Sequence, residues 1–278
     1  MNYSIANING LNVFFRESGD KSKPTFLLLH GFPSSSHMFR NLMPLLEERF
    51  HVIAPDYIGF GQSDAPAASI FEYTFEHLTD YVQALLKFLG IEKYYMYVFD
   101  YGAPIGFRLA LRNPDAVLGI VSQNGNIYEK ALGEKWSVRK VYWDGPTAEL
   151  RLFLQGAYAA SNIIRDYLTG EPLGAVSPDG YSLDIFYTYR EGFSDRQDAL
   201  ILDYRTNVAL YPEFQRYVKE RQPKLLAIWG KNGESFLPIG AEAFAEDDPN
   251  AEVILLEAGH YALETQCKRI ADEILARF

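Results

Sequence analysis

Cysteine is nearly absent. The single one, Cys267, excludes an internal disulfide framework and suits a reducing compartment. Basic residues are outnumbered, 26 against 36 acidic ones, and the net charge of -10 argues against nucleic acid, whose phosphates require a cationic face. No apolar run approaches the roughly 18 residues that span a bilayer. The amino terminus, Met1-Asn2-Tyr3-Ser4-Ile5, has neither a basic start nor an apolar core, so no signal peptide is expected and the chain reads as cytoplasmic. Histidine and cysteine do not gather into a ligand set. Gly59-Phe60-Gly61 lacks the partner glycine and lysine of a phosphate loop, so neither a metal nor an organic cofactor is expected. There is no internal repeat.

Apolar and aromatic side chains, in contrast, are plentiful. At 48% hydrophobic and 15% aromatic, the 278 residues can bury a large core in one domain, or in one domain carrying an insertion. Residues 3–8 and 11–17 read as a hairpin around the turn dipeptide Asn9-Gly10. Strands at 26–29, 52–54, 94–99 and 117–122 then alternate with helices over about 37–49, 77–89 and 102–113, and such alternation implies a parallel sheet. It resumes with strands at 225–230 and 253–256 and helices at about 239–246 and from 261.

Between 124 and 223 the alternation stops. The stretch is helical in pattern and too long for a plain connection, so it is expected to fold as a helical lid. Residues 1–123 and 224–278 would then form the core domain. Ten of the 19 tyrosines fall inside the lid, more phenol groups than packing alone requires.

Reactive groups in an open parallel sheet gather beyond the carboxyl ends of its strands. His30, Asp56, Asp100, Asn124, Gly233 and His260 each lie just past a predicted strand end. Asp100 stands out, in Val98-Phe99-Asp100-Tyr101-Gly102-Ala103, where a buried strand turns sharply into a helix. A serine on such an elbow attacks acyl carbons. A carboxylate there can attack a saturated carbon and become an ester itself, which points to epoxides or alkyl halides. His260, on a loop after the last strand with Gly259 before it, is the candidate base. In His30-Gly31-Phe32-Pro33, the Phe32 amide is free to point inward, and with the Tyr101 amide it would form an oxyanion hole.

These motifs, with Asp56-Tyr57-Ile58-Gly59-Phe60-Gly61-Gln62-Ser63, resemble the α/β-hydrolase fold, specifically its aspartate-nucleophile branch of epoxide hydrolases and haloalkane dehalogenases. The resemblance covers nearly the whole chain. It implies an α/β architecture with a mostly parallel eight-stranded sheet flanked by helices, and a small apolar organic substrate for a monomer or homodimer. Dehalogenases usually place tryptophan after the nucleophile and often asparagine after the His-Gly pair. Tyr101 and Phe32 stand there instead, so epoxide opening is the expected activity, with dehalogenation as the alternative. Asp203-Tyr204-Arg205 resembles the segment carrying a proton-donating lid tyrosine, which makes Tyr204 the implied acid. Tyr142, Tyr158 and Tyr167 are open as the second tyrosine. His30, Asn124, Tyr142 and Tyr158 are expected to bind substrate.

One position departs from the pattern. Relatives carry Gly-Lys-Asn-Asp after the strand at 225–230, and that aspartate orients the histidine. This chain reads Gly230-Lys231-Asn232-Gly233-Glu234. Glu234, one residue along and one methylene longer, is the candidate replacement. Without it the protein would be slow, or repurposed to non-hydrolytic ligand binding.

Overall fold

The computed structural model describes all residues, 1–278. Eight strands form one sheet: β1 (Asn2–Ile8), β2 (Leu11–Ser18), β3 (Thr25–Leu29), β4 (His51–Pro55), β5 (Tyr94–Phe99), β6 (Val117–Gln123), β7 (Leu225–Gly230) and β8 (Glu252–Leu256). Their spatial order is β1-β2-β4-β3-β5-β6-β7-β8. The hairpin β1–β2 and the β2–β4 pair are antiparallel, and the remaining neighbours are parallel. The expected α/β architecture is therefore present.

Helices α1 (Met43–Leu46), α2 (Phe75–Phe88) and α3 (Gly102–Arg112) connect the first strands, while α9 (Ile239–Asp247) and α10 (Leu263–Arg277) follow β7 and β8. The central strands are buried on both faces. Leu27, Leu29, Met96 and Val98 face one layer, while Phe26, Leu28, Tyr97 and Phe99 face the other. Each such side chain withdrawn from water contributes roughly 1.5–3 kcal/mol, and this is why an unbroken apolar run makes a central strand.

The expected helix over 37–49 is instead two short pieces. A 3-10 turn at Ser36–Phe39 is capped by the Ser35 hydroxyl, and α1 follows. Pro44 has no N–H to bond the carbonyl four residues back, so one continuous helix cannot form.

Between β6 and β7 the chain carries helices and no strand: α4 (Ser137–Asp144), α5 (Ala148–Gln155), α6 (Ala160–Leu168), α7 (Pro178–Thr188) and the long α8 (Phe193–Arg221). The second half of α8 runs back along the core, where Phe214 packs on Phe107. Buried Arg108 of α3 fastens it there, donating to Asn207 at 2.6 Å and to the Thr206 hydroxyl at 3.1 Å.

Candidate active site

The turn from β5 into α3 forces Asp100 to φ +48°, a left-handed conformation that aspartate tolerates better than bulky residues. Its carboxylate is buried but not enclosed by side-chain partners. Oδ1 accepts from the Phe32 amide at 2.9 Å and from its neighbour Tyr101's amide at 2.7 Å. Oδ2 lies 3.6 Å from His260 Nε2. The loop after β3 passes so closely that a Cβ on Gly31 would sit 2.3 Å from the Asp100 Cβ. Only glycine allows both the elbow and the Phe32 amide to meet there.

His260 is held from several sides. Its ring lies between Phe99 and Phe236, at centroid distances of 4.7 and 5.9 Å. Gln123 donates to its carbonyl at 2.8 Å. The amide of Gly259 donates to Glu171 Oε1 at 2.6 Å, so a carboxylate from the helical insertion braces the loop. Nδ1 is buried and has no partner.

Asp100 and His260 open onto a chamber of about 50 Å³ walled by Phe32, Tyr101, Trp136, Tyr158, Ile201 and other residues. A wider cleft of about 990 Å³ lies outside it, and Arg139, Leu154, Ala157 and Asp166 line both. The Tyr101 hydroxyl is buried without a partner. The Tyr158 hydroxyl donates to Asp198 at 3.0 Å. Burial first, and the charge of Asp100 or Asp198 second, raises both phenols above their ordinary range, so both keep their protons at neutral pH.

The family described as alpha/beta hydrolase fold matches residues 24–266. The chain belongs to the α/β-hydrolase family. An uncharacterised hydrolase of Saccharomyces cerevisiae is 42% identical over 275 residues, covering 97% of this chain and 94% of the yeast protein. The crystal structure of haloalkane dehalogenase DbeA from Bradyrhizobium elkani matches with a TM-score of 0.79 at 24% identity, over 99% of this chain and 96% of that one. The structure of epoxide hydrolase CorEH matches with a TM-score of 0.77 at 22% identity, over 100% and 98%. At those identities the two structures speak to the fold. The protein is an enzyme of α/β-hydrolase type.

Within this hydrolase the fold brings together Asp100, His260, Tyr101, Phe32 and Tyr158. Glu234 lines one small cavity with the histidine but makes no ion pair or hydrogen bond to it. The Glu234 carboxylate is half exposed and pairs with Lys135 at 3.1 Å rather than with His260, which it was expected to orient. Tyr204 is fully buried behind the chamber wall, stacked near Trp136 and Trp143, and its hydroxyl is shared with Tyr211 at 3.2 Å. The expected acid therefore sits outside the chamber.

His30 does not line the chamber. Its Nδ1 lies 3.0 Å from the Gly31 carbonyl, Nε2 accepts from the Tyr57 amide at 3.3 Å, and burial pushes its pKa down to about 4. It shapes the turn as a neutral ring. Asn124 spends its amide on Gly230, accepting from N at 2.9 Å and donating to O at 3.1 Å, and so ties β6 to β7. Tyr142 lines a different depression, beside Arg151 and Ala199.

Sequence reasoning missed Arg139 and Trp136 in the chamber region. A helical pattern does not reveal which face of α4 and of the short turn before it will point inward.

Proposed function

We propose that this hydrolase opens small epoxides through a covalent ester on Asp100. The observation that carries the reading is the Asp100 carboxylate, with one oxygen held by two backbone amides and the other beside His260. Oδ2 attacks a saturated ring carbon, the C–O bond to the epoxide oxygen breaks, and that oxygen takes a proton. Tyr101 is the assigned donor, because it lines the chamber and its buried hydroxyl is uncommitted. His260 then removes a proton from water, which attacks the ester carbonyl. The oxyanion develops on Oδ1, where the Phe32 and Tyr101 amides already wait, and each such donor supplies about 3 kcal/mol of transition-state stabilisation. Collapse expels the alkoxide, which takes the proton from His260 and leaves as the diol; Asp100 keeps an oxygen from water, and that water's second proton returns to the Tyr101 phenolate. The two-step route replaces water attack on an alkyl carbon by attack on an acyl carbon. The helical insertion acts as the cap that walls the chamber.

Dehalogenation is the second reading, supported by 26% identity over 276 residues to haloalkane dehalogenase 2 of Mycobacterium tuberculosis, covering 92% of this chain and 88% of that one. It requires the same ester but releases halide, which needs no proton. The test is His260→Gln incubated with a panel of small epoxides and alkyl halides. The ester should accumulate, adding the substrate's mass to the peptide containing Asp100. Wild-type protein, given a single turnover in heavy-oxygen water, should carry label in that carboxylate. Normal turnover by His260→Gln, or no label in Asp100, overturns the mechanism. Wild-type protein that stays alkylated without turnover would instead indicate a ligand-capturing protein with water activation lost.

A further inference from the structure

Among the chamber's lining residues, Arg139 is the one lysine or arginine. It stands where chamber and outer cleft meet, since it lines both. Its neighbour Lys135 is neutralised by Asp166 at 2.7 Å and Glu234 at 3.1 Å. Arg139 has no such partner. Its Nη1 donates to the Lys135 carbonyl, its guanidinium lies 5.0 Å from the centre of the Trp136 ring, and its Nε is buried with no hydrogen bond at all. The half-buried guanidinium therefore faces the chamber with its charge uncompensated by any carboxylate, free to take an anionic ligand. Asp100 is not its partner, because Oδ1 is held by the Phe32 and Tyr101 amides and Oδ2 lies beside His260.

We infer that Arg139 anchors a carboxylate on the substrate, so that the substrate class is a short epoxide bearing a carboxylate at its far end. The chemistry at the near end rests on the Asp100 reading above, whereas the anchor itself does not. A planar guanidinium matches a carboxylate in geometry and charge. An anionic substrate entering a chamber that already holds Asp100 requires a compensating cation, and the neck is where one stands. Because Asp100 and Arg139 line the same small chamber, the reacting carbon and the carboxylate belong on one short substrate.

The test separates anchoring from chemistry by using ligands that cannot react. Titration calorimetry on the full chain should show butanoate binding at least roughly tenfold more tightly than butanamide, as a charge-assisted pair predicts. Arg139→Gln should erase that preference, and Arg139→Lys should keep part of it, with thermal unfolding confirming that each variant is folded. Equal binding of acid and amide by the wild type, or an undiminished preference in Arg139→Gln, overturns the inference. Turnover of 3,4-epoxybutanoate against 1,2-epoxybutane then reports on the ester mechanism separately. Carboxylate binding without ester formation would leave the anchor standing and refute the chemistry.

Discussion

Replacing Gly233 by aspartate should accelerate the second half of the reaction and leave the first half alone. A Cβ built on Gly233 lies 3.3 Å from both the Cα and the N of His260 and 3.5 Å from Asn124 Nδ2. The contacts are tight, but a shift of a few tenths of an ångström accommodates them, and the backbone there is not in the left-handed region. The new carboxylate would sit beside the His260 ring, whose Nδ1 is buried and unpartnered. An accepted hydrogen bond there fixes the tautomer that leaves Nε2 basic and stabilises the imidazolium as it forms.

Two magnitudes bear on the outcome. Exchanging the buried aspartate of a serine triad for an amide costs about four orders of magnitude in turnover. A single hydrogen bond to a charged group contributes about 1.5–3 kcal/mol, or roughly 10- to 150-fold. A carboxylate introduced without its own supporting shell should recover the smaller figure. Rapid-quench mass spectrometry of the Asp100 peptide resolves ester formation from ester loss. Ester loss should speed up by about 10- to 100-fold, and the rising limb of its pH profile should move upward, because a carboxylate favours the protonated ring. An unchanged rate of ester loss in a folded variant would show that Nδ1 does not face position 233. Equal changes in both steps would also refute the reasoning.

Tyr101→Phe should slow ester formation from epoxides by about 10- to 100-fold, the worth of one hydrogen bond to a developing charge, while leaving alkyl halides less affected. Tyr204→Phe should change little in the same single-turnover assay, and a larger loss there would return the acid role to Tyr204. Asp184 is buried beneath Tyr167, which donates to it at 2.5 Å, and burial pushes its carboxyl up to about 7. A raised value means stability is fully present below the unfolded value near 4 and is lost as pH rises towards 7. The loss is up to about 4 kcal/mol at 1.36 kcal/mol per unit. Asp184→Asn should remove that slope in urea titrations at pH 5 and pH 8, and an unchanged slope would refute it.

The core was legible because its signals are local. Runs such as Phe26–Leu29 and Tyr94–Phe99 can only be strands buried on both faces, and the elbow at Asp100 follows from where such a run ends. The Asp100–His260 pairing was legible for the same reason, since topology alone sends both to one edge of the sheet. What could not be read depends on the direction of side chains across long separations. Glu234 stands one residue past the expected position, and its carboxylate pairs with Lys135 of the insertion, which no local signal announces. Asn124 sits at a strand end and yet serves the backbone of β7. Tyr204 lies on a helix whose rotation about its axis decides whether the hydroxyl meets Tyr211 or the chamber, and twenty-nine residues of α8 with Pro212 inside do not announce that rotation.

The fit of Gly31 under Asp100 has a practical consequence. Two positions distant in the chain behave as one: a methyl group added at the first displaces the whole carboxylate at the second. Mutational libraries aimed at new substrates can therefore range freely over the roof of the pocket, but each variant must inherit this floor unaltered or lose its means of bond formation.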